Sequence, residues 1–331
     1  MHFLRSGPSP NAAAVVFLTW TPYLRQMEGN LILLLISCAY ADGPRYVIIA
    51  TDCATQVFSI ATSCVVRALP TAGLEKITAL KLSPKDTDCL YASTTSGSIT
   101  RLNWQSGTET QIGKKPYPVI AVDPQIPDNS PGDHDLFLFA LGHKEKGNRE
   151  ISIVLDSDGP CKGKTLVVLE TSTPLSDMKV VSGGKIIVAW AGDRLLVGLT
   201  ASQLTSGSFT SLKYVWREVR LPVCATSVDI RFSGRALKQS KKTQMRSEGV
   251  GNLDIALGES GGSILIYYDI LGRLLQRENN DMEDNLVSNR LHWHRKPVKT
   301  IKWSRDGKPL SSELHSLANS FPRQLHYFRW P

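Results

Sequence analysis

The chain lacks the residue groupings on which chemistry is usually built. Its six cysteines, Cys38, Cys53, Cys64, Cys89, Cys161 and Cys224, are scattered, and no two stand at C-x-x-C spacing. A disulfide framework or a zinc cage would cluster them. Several of them lie inside apolar runs, as free, buried thiols in a reducing compartment do. Long apolar runs are missing as well. Residues 12–20 and 31–40 are apolar for about ten residues each, well short of the ~20 that a spanning helix needs, so no membrane association is expected. Only Arg5 precedes the first of these runs and no small-residue cleavage site follows it, which argues against a secretory signal. No stretch keeps a 3.6-residue apolar period between caps, so helix should be scarce. Paired carboxylates and cysteine–histidine constellations are absent too. No catalytic, cofactor-binding or metal-binding residue is therefore assigned, and neither a cofactor nor a small-molecule substrate is expected.

What the chain does contain is alternation. Residues 45–69, RYVIIATDCATQVFSIATSCVVRAL, hold three short runs rich in Val, Ile and Phe, split at Asp52 and at Ala61-Thr62-Ser63. Residues 75–113 add four runs, split at Ser83-Pro84-Lys85-Asp86, Ser96-Gly97 and Ser106-Gly107. Four antiparallel strands per unit of roughly 40 residues is the period of a WD-type propeller blade. The same grammar continues at 117–123, 135–141, 150–155 and 165–170, then at 177–181, 185–190, 194–199 and 212–219, and then at 225–232, 253–257 and 263–270. The 25 glycines and 18 prolines fall mostly between these runs, as a turn-rich all-β chain requires.

The expectation is an all-β fold: a WD-type β-propeller of about six or seven four-stranded blades. It would occupy residues 45–272, after an atypical N-terminal segment, 1–44. A polar linker, 273–290, would then lead to an incomplete further blade that opens at 291 and ends in an aberrant tail, 291–331. Alternation directs Val47, Ile49, Ile77, Leu80, Ile187 and Ile255 into the layers between sheets. Trp104, Trp190 and Trp216 read as packing aromatics beside them. Such discs are scaffolds with broad binding faces.

Four motif matches fail on their context. Gly258-Glu259-Ser260-Gly261-Gly262 satisfies G-x-S-x-G, but LDIAL enters it and SILIYYDI leaves it, so a hairpin replaces the strand-to-helix elbow. The near phosphate loop GPCKGKT at 159–165 is one residue short and opens a strand-like run, without the helix N-terminus that holds an anion. His292 and His294 share a strand face around Trp293, but no Cys or carboxylate stands beside them at metal-ligand spacing. Asp156-Ser157-Asp158-Gly159 lacks the later ligands of a calcium loop.

The net charge of +8 favours polyanionic partners, nucleic acid first and acidic proteins or membranes after it. Its densest source is the segment 234–252. Arg235, Lys238, Lys241, Lys242 and Arg246 stand within twelve residues there, with no acidic residue among them. These five are candidate contacts to RNA phosphates or to an acidic partner, against the plainer reading of a solvated loop.

A resemblance to one family spans roughly residues 45–307, including the blade at 45–69, and one stretch carries it most distinctly. LHWHRKPVKTIKWSRDG, residues 291–307, follows the hairpin ALGESGGSILIYYDI. Through His292-Trp293-His294, Val298, Trp303 and Asp306-Gly307 it resembles the fungal members of the WD repeat-containing protein 75 family. These are WD-repeat subunits of the transcription-linked part of the small-subunit processome. The resemblance implies a non-catalytic scaffold in the nucleolus, acting in pre-ribosomal RNA processing and transcription. Its implied partners are other processome proteins, pre-ribosomal RNA and small nucleolar RNA particles. The family also implies two tandem propellers and a C-terminal tail, from which this chain departs: residues 1–44 do not read as an opening blade, and no second propeller follows Gly307. The alternative is a general intracellular WD-repeat adaptor, in ubiquitination or vesicle traffic.

Overall fold

Alternation becomes strand. The computed structural model describes residues 35–41, 45–51, 55–69, 76–127, 136–157, 162–200, 212–233, 252–271 and 288–292, together with 298, 301 and 303. Among them, twenty strands form five antiparallel four-stranded sheets, and helix is reduced to single turns such as Glu145–Gly147 and Ser182–Gly184. The first sheet is β1 (Leu35–Ala41), β2 (Tyr46–Thr51), β3 (Thr55–Ser59) and β4 (Cys64–Leu69). The second is β5 (Ile77–Leu82), β6 (Cys89–Thr94), β7 (Ser98–Asn103) and β8 (Glu109–Lys114). The third is β9 (Val119–Gln125), β10 (Leu136–His143), β11 (Arg149–Asp156) and β12 (Thr165–Thr171). The fourth is β13 (Asp177–Val181), β14 (Ile186–Ala191), β15 (Arg194–Leu199) and β16 (Val215–Arg220). The fifth is β17 (Ala225–Ser233), β18 (Asn252–Glu259), β19 (Ser263–Tyr267) and β20 (Ser288–His292). Each strand pairs only with its chain neighbours. The first strands of successive sheets, β1, β5, β9, β13 and β17, lie side by side as an inner row. The architecture is all-β and β-propeller-like.

The core lies in layers between successive sheets. Ile48, Val57, Leu80, Leu90 and Trp104 fill the first layer, and Ile99, Ile112, Val122 and Leu138 the second. β14 shows how one strand serves two layers. Ile187, Ala189 and Ala191 face the third sheet, while Ile186, Val188 and Trp190 face the fifth. A strand buried on both faces reads as a continuous apolar run, and IIVAWA is one. Val47, Ile49, Ile77, Leu80, Ile187 and Ile255 are all buried, as their alternation requires. Turn chemistry closes the hairpins. Gly97 sits at φ +87°, and a Cβ there would lie 2.2 Å from the Lys115 carbonyl oxygen, so only glycine fits.

Four expectations change. Part of the segment 1–44 belongs to the first sheet: β1 pairs with β2 through Cys38↔Ile49 and Tyr40↔Val47. LISCAYA is apolar without a clean period of two, which hid it as a strand. β20, divided in the sequence reading between linker and new blade, is the outer strand of the fifth sheet, with Leu291 opposite Ile264. Its Asn289 and Arg290 are exposed, so it carries no apolar alternation to read. The described residues thus make five four-stranded sheets, where six or seven blades were expected. Finally, not all cysteines are buried: Cys89 is, but Cys64 opens an outer strand and Cys224 stands in a turn, both exposed.

Beyond β20, the residues Val298, Ile301 and Trp303 take the place of a next inner strand beside β17. Two contacts repeat to show it. Thr78, at a bulge in β5, donates its hydroxyl to the Val119 carbonyl of β9. Thr226, at the matching bulge in β17, donates to the Val298 carbonyl at 2.8 Å. Likewise the Val180 N–H donates to Asp123 Oδ2 at 2.8 Å, and the Trp303 N–H to Asp229 Oδ2 at 2.6 Å. Val298 and Ile301 are buried against Ala256, Ile264 and Ile266 of the fifth sheet.

The inner row also alternates in charge. Lys81, Asp123 and Asp229 each stand three residues past the bulge of their strand, and Lys179 lies between the two aspartates. Lys179 pairs with Asp229, and both Lys81 and Lys179 act on Asp123. Burial pushes the Asp123 carboxyl up from its ordinary range, against the pull of Lys81, the Val180 N–H, Gln125 and Lys179.

Asp229 therefore holds two neighbours at once. Its replacement by Ala should cost about 3 kcal/mol, because Lys179 loses its ion-pair partner and the Trp303 N–H loses its acceptor. Asp229→Asn, which keeps an oxygen for Trp303, should cost less. Urea unfolding measures both, and a loss under about 0.5 kcal/mol for the alanine variant would contradict the assignment.

Candidate partner-binding surfaces

The five cations Arg235, Lys238, Lys241, Lys242 and Arg246 lie outside the described residues. The segment that holds them joins Ser233 of β17 to Asn252 of β18. It therefore departs from the end of the fifth sheet where its first strand hands over to the second. Trp293, His294, Asp306 and Gly307 also lie outside the described residues. His292 ends β20, opposite Ser263.

Trp303 and Val298 are placed by dense contacts. The Trp303 indole N–H donates to the Asp229 carbonyl at 3.2 Å, and its ring lies 4.7 Å from the Arg231 guanidinium. That guanidinium is in turn held by Asp254 at 2.5 and 3.1 Å. A cation over an indole face is attractive by about 1 kcal/mol. Val298 donates its N–H to the Glu259 carbonyl at 3.2 Å and accepts from the hydroxyls of Thr226 and Ser227, each at 2.8 Å. Gly258 makes room for this approach, since a Cβ there would lie 2.7 Å from that of Val298.

A second polar cluster was not visible in the sequence. Lys115 follows β8, Lys144 follows β10, and both converge on the buried Glu150 of β11, at 2.9 and 3.3 Å. Lys144 also reaches Glu170 at 2.7 Å and lies 5.9 Å from the centre of the Tyr117 ring. Burial works against the Glu150 carboxylate. The Tyr117 hydroxyl and the two ammonium groups outweigh it and hold the pKa below its usual value. No local pattern announces such a cluster, whose members come from two turns and two strands.

The chemistry of single groups is subdued. The Cys89 thiol donates to Asp86 Oδ2 at 2.9 Å, and burial together with that carboxylate pushes its pKa up to about 12. The thiolate is the nucleophilic form, so Cys89 is inert at neutral pH. The segment 258–262 joins β18 to β19 as a hairpin, with Gly262 N–H bonded to the Glu259 carbonyl at 3.1 Å. The stretch after Gly163 leads into strand β12, with no helix to receive a phosphate. Among the described residues, no three His, Cys, Asp or Glu side chains converge as metal ligands, and no helix is long and apolar enough to cross a membrane.

No protein-family model matches the chain, and no curated protein matches its sequence. Among solved structures it is similar to the crystal structure of the computationally designed Ika8 protein, at 13% identity and a TM-score of 0.47. That match covers 82% of this chain and 66% of the designed one. So loose a likeness says nothing of function.

Two predictions follow from these clusters. Glu150 has a depressed folded pKa, so its stabilisation is fully present above its ordinary value of 4.5 and is lost as pH falls through the folded value. Glu150→Gln should therefore destabilise the fold by about 2 kcal/mol at neutral pH, with the gap to the native chain closing at pH 3. A gap that stays constant between urea unfolding curves at the two pH values would contradict this. Separately, a thiol-alkylating reagent at pH 8 should modify Cys64 and Cys224 and spare Cys89 until urea unfolds the chain. Peptide mass mapping reads the outcome, and early labelling of Cys89 would contradict its burial.

Proposed function

We propose that this chain is a non-catalytic scaffold of ribosome assembly, a WD-type propeller subunit of the small-subunit processome in the nucleolus. Its faces dock neighbouring processome proteins and the pre-ribosomal RNA with its small nucleolar RNA particles. The reading rests on the family resemblance of residues 291–307. The observation that supports it is the seat of that stretch: Val298, Ile301 and Trp303 join the inner row beside β17, so these residues of the stretch belong to the propeller-like body. The basic balance of the chain suits an RNA-rich particle.

The test is localisation with sedimentation of the tagged chain. Nucleolar signal and co-sedimentation with large pre-ribosomal particles are the expected result. A free cytosolic pool would contradict it and favour the adaptor reading in ubiquitination or traffic. Within the proposal, the segment 234–252 contacts phosphates or an acidic neighbouring subunit. Charge reversal at Lys238, Lys241 and Lys242 should weaken particle association and flatten its salt dependence, by roughly 0.7 log units per decade of salt for each lost contact to single-stranded RNA. Thermal stability should not change. Association with an unaltered salt slope would leave the segment a solvated insertion.

A further inference from the structure

We infer that a groove between the first and second sheets is a docking site for an extended, acidic peptide segment that carries an aliphatic side chain. The inference stands on the groove alone and is independent of the nucleolar reading. The groove has a volume of about 400 Å³ and is lined by Tyr46, Val57, Val66, Arg67, Trp104 and Gln105. Its shape comes from an irregularity in β4. Val57 pairs with Arg67 and Phe58 with Val65, so Val66 is the extra residue of a β-bulge. Bulges re-aim side chains and gather beside functional sites. Here the bulge leaves Val66 52% exposed, an apolar side chain turned outward where a surface strand would ordinarily place a polar one.

The opposite wall is aromatic and fixed. The Tyr46 and Trp104 rings stand 5.1 Å apart, and the Trp104 indole N–H is anchored on the Thr87 carbonyl at 2.9 Å. Trp104 is only 6% exposed, so it offers an edge to lean on and not a face on which a nucleobase stacks. Gln105 is held at the rim by Asp88 at 2.8 Å. Arg67 reaches across from β4 to the turn of the second sheet, its Nη1 lying 3.3 Å from where a Cβ on Gly107 would be. Among the described residues, no carboxylate pairs with it.

These features select one kind of occupant. An aliphatic side chain fits against Val66 and the aromatic edges. In an extended peptide the residue two places along points the same way, about 7 Å on, where a carboxylate meets the exposed guanidinium of Arg67. Arg and carboxylate form a planar, two-bond pair, and the exposed Arg67 at the rim supplies the charge complementarity. A polynucleotide would need several free cations along its backbone, and the lining of the groove supplies one.

The test is fluorescence anisotropy of a fluorescein-labelled Glu-Ser-Leu-Ser-Glu peptide, whose carboxylates stand two residues from Leu on the same face, titrated with the whole chain. Saturable binding is expected, weakened about tenfold by Arg67→Glu and by Val66→Asp, both at exposed positions. Arg67→Lys should keep part of the affinity, and melting curves check that each variant folds. Lys162→Glu, an exposed change on the third sheet, should leave binding intact and so controls for net charge. The same peptide with Ala in place of Leu should not bind. Four results would each overturn the inference: no saturable binding, equal weakening by Lys162→Glu, equal binding of the alanine peptide, or labelled oligouridine binding that depends on Arg67 while peptide binding does not.

Discussion

The register between successive sheets depends on the inner row. Within each sheet, hydrogen bonding is a local matter, settled by hairpins of neighbouring strands. Between sheets the packing is apolar, and apolar packing has no direction of its own. Two polar contacts supply the direction. A threonine hydroxyl at the bulge of one inner strand reaches the first carbonyl of the next, as in Thr78 to Val119 and Thr226 to Val298. An aspartate farther along captures an amide of the following strand, as Asp123 does with Val180 and Asp229 with Trp303. Alternating Lys and Asp at that level opposes neighbours of unlike charge, so a slipped register would set like charges together.

This arrangement leaves the outer strands free to vary, and the surface features gather there. Val66, Val167 and Val215 are exposed on β4, β12 and β16, the outermost strands of their sheets. The first of these forms a groove with the aromatic pair of the adjoining layer. Cationic chemistry lies elsewhere: part is compensated in the Lys115–Glu150–Lys144 cluster, and the densest run belongs to the segment between β17 and β18.

Most strands were legible because their chemistry is local. The runs at 77–82, 89–94, 136–143 and 186–191 show in sequence the residues that they bury, and serine, glycine and proline mark the turns between them. β1 and β20 were not legible. β1 is apolar on both faces and β20 is polar, so neither carries the period of two. Trp303 stood out through its family resemblance, but its partners Asp229 and Arg231 lie some seventy residues earlier, and no spacing rule links them. Alternating charge along the inner row was present in ITALK, VIAVD, DMKVV and SVDI. It becomes readable only once these runs are known to be neighbours in space. The groove at Val66 depends on a bulge, and β-bulges leave no mark in a short valine-rich run.

Native-state hydrogen exchange at the Trp303 amide tests the central claim most directly. If Val298, Ile301 and Trp303 take the place of the next inner strand, the Trp303 amide is locked on Asp229 and should exchange as slowly as the Val180 amide on Asp123, since both open only with their sheets. Asp229→Ala should release Trp303 while leaving Val180 protected. Exchange of Trp303 at the rate of an unstructured amide in the native chain would contradict the account.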